Sequence, residues 1–110
     1  MPVRADTIIL AMPQALVDAD RLAMICQRFS VRRLQLFGSS ATGAETVGSD
    51  VDLLVEFVPG EVPGAFALVD LQDELSELFG GRPVDLAFPS ILNNPYRRRA
   101  IEPQLRPLFG

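Results

Sequence analysis

The stretch LFGSSATGAETVGSDVDLLVEF, residues 36–57, decides how the chain folds. Its second half leads into Asp52–Val58, DLLVEFV, apolar almost throughout, the pattern of a strand buried at the centre of a sheet. Its first two residues complete another strand, predicted over Val31–Phe37, that stops at Gly38. Between the two strands lies GSSATGAETVGSD, a connector of thirteen mostly small residues, 38–50.

Working outward, Leu22, Ile25, Cys26 and Phe29 recur at helical spacing behind Asp18, a good N-cap, and predict a helix over Asp18–Phe29. On the other side, Pro59, Gly60, Pro63 and Gly64 make a loop. Leu68, Leu71, Leu75 and Leu78 then give the apolar face of a second helix, with Asp73, Glu74 and Glu77 opposite and Gly80–Gly81 as its stop. Pro83–Phe88 reads as a third strand. Asn94–Pro95 opens a C-terminal helix that Pro103 and Pro107 cut short or bend. The pattern is α/β (α+β), a small mixed β-sheet with flanking helices. A length of 110 residues points to one domain over 1–110, with a core at about 18–88 and the last helix at about 94–102.

The second and third strands flank a helix, so they run parallel with a right-handed crossover. If the first strand runs against the second, Gly38 and Ser39 meet Asp50 and Asp52 at one end of the sheet. Asp85, early in the third strand, falls at the same end. A doubly wound sheet would instead place its ligand beyond the carboxyl ends of parallel strands.

Composition narrows the chemistry. His and Trp are absent and all ten basic residues are Arg, so Lys is absent too. Ser–His–Asp and Cys–His catalysis, imidazole zinc sites, the P-loop lysine and Schiff bases are excluded. The single cysteine, Cys26, sits on an apolar helix face as a small hydrophobe. Net charge is −4, and ten acids between Glu45 and Asp85 face only Arg82. Acidity of this kind argues against direct nucleic-acid binding. The apolar run Thr7–Met12 is too short to span a bilayer, and Asp6 and Pro13 make it a poor signal peptide. No membrane partner is expected, and the expected compartment is the cytoplasm.

Asp50 and Asp52 are two apart, so on a strand both side chains point the same way. Adjacent carboxylates repel unless a cation sits between them. Mg²⁺ suits such a pair, because it takes oxygen ligands and usually one or two carboxylates together with substrate phosphates. Two such ions about 4 Å apart would serve phosphoryl transfer. Asp85 could complete a metal site and, with no His available, is the leading general base. Gly38 lets the backbone turn tightly towards a phosphate, and the Ser39 hydroxyl adds a donor. Each part alone is ordinary turn or strand-edge chemistry; the ordered set is far more specific.

LFGSSATGAETVGSDVDLLVEF resembles the signature of the DNA polymerase β-like nucleotidyltransferase superfamily, GS followed by a spaced D-x-D. It is most similar to the minimal nucleotidyltransferases (MNT), which consist of little beyond that core. The resemblance continues through PGEVPGAFALVDLQDELSELFGGRPVDL, covers most of Asp18–Phe88, and extends less specifically to NPYRRRAI at 94–101. It implies a polymerase β-like nucleotidyltransferase core. Gly38 and Ser39 match the triphosphate-binding turn, Asp50 and Asp52 the paired metal ligands, and Asp85 the third carboxylate. Such proteins are commonly the antitoxin of an MNT–HEPN toxin–antitoxin pair, in which AMP passes from ATP to a tyrosine of the HEPN ribonuclease toxin and pyrophosphate leaves. The implied cofactor is Mg²⁺, the implied substrate ATP, and the implied partner a HEPN-type toxin. Thr42 stands where the pattern GS-x-A-R-G often has Arg, and threonine offers no bidentate phosphate contact. A non-catalytic antitoxin that neutralises its partner by binding alone is the alternative.

Arg97–Arg98–Arg99 reads as a solvated helix face, with a phosphate or acidic-partner grip as the alternative. Tyr96 reads as core packing or partner contact. Glu56 shares the parity of Asp52 but lies about 13 Å further along the strand, beyond reach of one ion. The apolar residues before Pro13 have no evident core to join and are candidates for a partner contact.

Overall fold

Asp52–Val58 does form the centre of a sheet, displaced by one residue. In the computed structural model, which describes residues 9–12, 15–38 and 50–110, β4 spans Val51–Phe57 and is paired on both sides. Chain order is β1 (Ile9–Met12), β2 (Ala15–Asp18), α1 (Ala19–Arg28), β3 (Val31–Phe37), β4, α2 (Ala65–Leu78) and β5 (Val84–Ala87). A 3₁₀ turn (Pro89–Asn93), α3 (Pro95–Ile101), a second 3₁₀ turn (Glu102–Gln104) and β6 (Arg106–Phe109) follow. The main sheet has four strands in the order β5-β4-β3-β6. β3 runs antiparallel to β4, with Phe37 opposite Asp52, and β5 runs parallel to β4, with Asp85 opposite Asp52. The mixed sheet of the sequence reading is therefore present.

Alternation along β4 divides its residues between two faces. Val51, Leu53, Val55 and Phe57 join the core with Leu22, Ile25 and Cys26 of α1 and Leu71, Leu75 and Leu78 of α2. Asp52, Leu54 and Glu56 take the other face. Both long helices thus cover one side of the sheet and leave the Asp52 side clear of them.

The helices begin where their chemistry directs. The Asp18 carboxylate accepts from the Asp20 and Arg21 N–H groups at 2.9 and 3.3 Å, capping α1. The Asn94 side chain does the same for α3 through the Tyr96 and Arg97 N–H groups, at 2.9 and 3.2 Å. Between α1 and α2, Arg28 pairs with Glu74, and the Arg28 guanidinium lies 4.9 Å from the centre of the Phe29 ring. α2 ends at Leu78, just before Gly80–Gly81, and Gly81 N–H closes the turn on Ser76 C=O at 2.8 Å.

Three strands are additional to the sequence reading. β6 lies antiparallel to β3 as a sheet edge, Leu36 opposite Arg106 and Gln35 opposite Pro107. Proline lacks the N–H a central strand needs, so Pro107 hid this strand; an edge tolerates it. Of the residues before Pro13, the described Ile9–Met12 pair within their own chain, with β1 antiparallel to β2 as a separate two-stranded sheet. No helix among the described residues is long and apolar enough to cross a membrane.

Leu71 on α2 is 0% exposed, whereas Phe66 on the same helix is 91% exposed. Leu71→Ala is expected to cost about 2–5 kcal/mol in urea unfolding, and Phe66→Ala to stay within about 0.5 kcal/mol of the parent.

Candidate active site

The site is assembled by strand register. Asp52 is the second residue of β4 and Asp85 the second of β5, and the parallel ladder sets them side by side. Neighbouring strands lie about 4.8 Å apart, so the two carboxylates share one face at one end of the sheet. Val51 N–H donates to Pro83 C=O at 2.8 Å, locking the register at that end. From below, α2 fixes the approach to β5. Ser76 Oγ donates to the Arg82 carbonyl at 2.6 Å, and Gln72 Nε2 donates to the Val84 carbonyl.

Asp50 precedes β4 and is exposed, as is Asp85; Asp52 is half-buried between them. Burial first, then the Asp85 charge, then the Asp50 charge, hold the Asp52 carboxyl above its ordinary value of 3.8. Both neighbouring acids therefore act on Asp52, and its ionised state is disfavoured. Among the described residues, no group of three or more His, Cys, Asp or Glu is drawn into a metal cage. The donors are nonetheless all hard oxygens, and the electrostatic cost at Asp52 is one that a divalent cation relieves. This suits an ion that completes its coordination with water or substrate oxygens.

Gly38 is the first residue beyond β3, with φ 77°. A side chain there would run into the Asp52 carboxylate, so both its conformation and its surroundings require glycine. Its N–H donates to Gln104 Oε1 at 3.0 Å. Gly38, Asp52 and Asp85 thus gather at one sheet end, with Asp50 two residues from Asp52. Ser39 and Thr42 lie outside the described residues.

Gln104 was invisible to sequence reasoning. It is 66 positions from Gly38, and only the course of β6 brings it back. Other singled-out residues lie apart from the acids. Glu56 pairs with Arg32 at 3.5 Å, a surface contact worth little. Arg97, Arg98 and Arg99 are exposed on α3, where Arg98 Nε donates to the Leu92 carbonyl at 2.9 Å. Tyr96 is 80% exposed, so its core-packing reading fails: it stands on the outer face of a short helix. The Cys26 thiol is buried, which pushes it up to about 12 and leaves it inert near neutrality.

Comparison with known proteins places this geometry. The profile described as a nucleotidyltransferase domain matches residues 21–106. A Methanocaldococcus jannaschii protein provisionally named a protein adenylyltransferase is 38% identical over 79 residues, 72% of this chain and 78% of its own. Protein adenylyltransferase MntA of Thermococcus cleftensis is 40% identical over 68 residues, 62% of this chain and 66% of its own. Among solved structures, one described as a minimal nucleotidyltransferase superposes with a TM-score of 0.57 at 33% identity, covering 74% of this chain and 83% of its own. A toxin–antitoxin crystal structure with AMP-PNP shares the fold, with a TM-score of 0.60 at 20% identity over 83% of this chain and 72% of that one. The carboxylate-bearing strands and the Gly38 turn all lie within or beside these matched regions, and the chain belongs to the nucleotidyltransferase domain family, among relatives named protein adenylyltransferases.

Proposed function

We propose that this protein is the antitoxin of a toxin–antitoxin pair, an Mg²⁺-dependent, cytoplasmic enzyme that transfers AMP from ATP to a tyrosine hydroxyl of a HEPN ribonuclease toxin. The observation that carries this is the register pair Asp52–Asp85 beside the Gly38 turn, in a chain whose relatives bear the protein adenylyltransferase name. A related fold found in a toxin–antitoxin structure with AMP-PNP supports the partner and the nucleotide.

Asp50, Asp52 and Asp85 would hold a pair of Mg²⁺ ions, which would supply positive charge against the phosphates. The turn at Gly38–Ser39 binds the triphosphate. The partner's tyrosine oxygen attacks the α-phosphorus, and the Asp85 carboxylate accepts the hydroxyl proton. The bond from the α-phosphorus to the bridging oxygen breaks, and pyrophosphate leaves with its electron pair. The product is a phosphodiester between tyrosine and AMP. With no His or Lys in the chain, a carboxylate is the available base. Asp50 and Asp85 are exposed, so an acceptor on another chain can reach them.

Incubation with α-labelled ATP, Mg²⁺ and the partner encoded by the neighbouring gene is expected to label the partner. The label disappears with EDTA, with Asp52→Ala and with Asp85→Ala. An unlabelled partner that is still bound and inhibited would instead establish neutralisation by complex formation alone.

Gly38→Ala adds a methyl group that displaces the Asp52 carboxylate, and transfer is expected to fall by about a hundredfold. The left-handed backbone at that residue adds a stability loss of about 1–2 kcal/mol, read in urea unfolding.

A raised pKa in the folded state gives Asp52 a definite sign. Its carboxyl binds a proton more readily folded than unfolded, so its contribution to stability is fully present below pH 3.8 and is lost as pH rises through the higher folded value. In EDTA, Asp52→Asn is therefore expected to melt above the parent at neutral pH, with the gap widening as pH rises through that window. A variant that melts below the parent at neutral pH would contradict this electrostatic account.

A further inference from the structure

Helix α2 has an outer side that the fold does not use. Leu71, Leu75 and Leu78 point into the core. At 3.6 residues per turn, Phe66, Asp70, Asp73 and Glu77 line up within about 60° of one another on the opposite side, and all four are exposed. Val69 flanks this stripe and is 53% exposed; Val62, just before the helix, is 65% exposed. Six large apolar or aromatic side chains are exposed among the described residues, and Val62, Phe66 and Val69 crowd three of them into eight positions. Single apolar residues on a surface are ordinary, whereas a cluster around a phenylalanine that is 91% exposed marks a contact surface.

The acids of the stripe do not serve the helix that carries them. α2 starts behind Gly64 with no side-chain cap and no acid in its first turn, and it has no base in its last. Glu77 stands in that last turn, at the negative pole of the helix. Asp70 with Asp73, and Asp73 with Glu77, are like-charge pairs at i,i+3 and i,i+4 spacing. Arg28 answers Glu74 on the α1 side. Among the described residues no cation answers Asp70, Asp73 or Glu77, and no base occurs between Glu61 and Gly81. This row of charge works against the free chain, and positive charge from outside relieves it.

We propose that the outer stripe of α2 is the docking surface for a basic protein, with Phe66 as its apolar anchor and Asp70, Asp73 and Glu77 as its acidic rail. The partner's chemistry is the complement: a socket for the phenyl ring beside a row of Arg or Lys. The inference rests on the reading above that the partner is a ribonuclease toxin, because a protein that holds RNA presents the kind of basic face this stripe fits. The placement of the stripe suits that partner. The C-terminal end of α2 leads through residues 79–83 into β5, so Glu77 lies towards the sheet end that carries Asp52 and Asp85. From there the stripe runs about 16 Å back to Phe66.

The test measures binding of the partner encoded by the neighbouring gene to the parent and to three variants. Phe66→Ala removes the anchor. The triple variant Asp70→Asn, Asp73→Asn, Glu77→Gln removes the charge. Tyr96→Ala removes a comparably exposed aromatic ring from α3. Phe66→Ala is expected to weaken the complex by roughly thirtyfold. The triple variant is expected to slow association by about tenfold at low salt and to flatten its dependence on ionic strength. Tyr96→Ala should bind as the parent does. Free in solution, the triple variant should melt at or above the parent's Tm, since its like-charge pairs are gone. AMP-PNP binding with Mg²⁺ should be the same in all four proteins, because α2 packs on the face of the sheet away from Asp52.

Unchanged partner binding in both Phe66→Ala and the triple variant overturns the proposal. Equal weakening by Phe66→Ala and Tyr96→Ala overturns it too, since the contact then follows exposed aromatic area rather than this stripe. A triple variant that melts below the parent does the same, because its acids then serve the fold. Parent protein that self-associates and is made monomeric by Phe66→Ala gives the face to a second copy and overturns the proposal. Parent that binds the partner without labelling it from ATP defeats the transfer reading and leaves this surface standing. Parent that binds no partner defeats the antitoxin reading, and this surface with it.

Discussion

Two carboxylates placed side by side on parallel strands are the constraint to which the rest of this end of the molecule answers. Asp52 and Asp85 meet because β4 and β5 are in register, and the register is held by backbone hydrogen bonds that have nothing to gain from the meeting. Burial and neighbouring charge both oppose ionisation of Asp52. A sequence selected for the stability of the empty fold would put an amide or an apolar residue there. The observed arrangement is stored electrostatic strain, and positive charge is what releases it. In the proposed reaction, a cation bound to the folded chain would stabilise it by mass action, coupling ligand occupancy to folding.

The opposite face of the sheet allows the strain to be carried. α1 and α2 close a continuous apolar core on Val51, Leu53, Val55 and Phe57 without contribution from Asp52 or its face. The core stabilises the fold through one set of alternating residues while the other set remains free for chemistry. α2 has a second task, since Ser76 and Gln72 reach the backbone at 82–84 and steady the strand that presents Asp85. Support at the other boundary comes from the C-terminal turn through Gln104. One boundary is thus braced by the helix just before β5 and the other by a residue 66 positions away.

Much of this was legible because the signals were local. Val31–Phe37 ends where its apolar residues give way to Gly38, and its limits agree with the structure. Asp18 and Asn94 announced their helices through chemistry that acts within three residues. The placement of Asp85 at the same sheet end as Asp52 followed from the crossover rule and its early position in the strand; that the two stand directly opposite is a matter of register, which the structure supplies. β6 was missed because Pro107 contradicts strand propensity and only its edge position, a tertiary fact, removes the contradiction. Gln104 carried no signal at all, since a lone Gln before a short strand acquires meaning only from the residue it meets. The exposure of Tyr96 was likewise decided by how α3 packs rather than by its own side chain.

That exposure bears on where an acceptor comes from. Tyr96 is the chain's one tyrosine. The chain reaches it after leaving the carboxyl end of β5, where the Phe88 and Phe57 rings stand 6.3 Å apart. Phe57 closes β4 at the end opposite Asp52, so the path to Tyr96 begins at the far end of the sheet from the acids. In the proposed reaction the attacking oxygen must approach the carboxylates at the other end, where Asp50 and Asp85 are open to solvent. In the proposed reaction that hydroxyl belongs to a second molecule, which the exposure of Asp50 and Asp85 permits. Contact between two proteins would then do what a separate acceptor-binding domain does in a larger enzyme, with specificity residing in the surface around the sheet end.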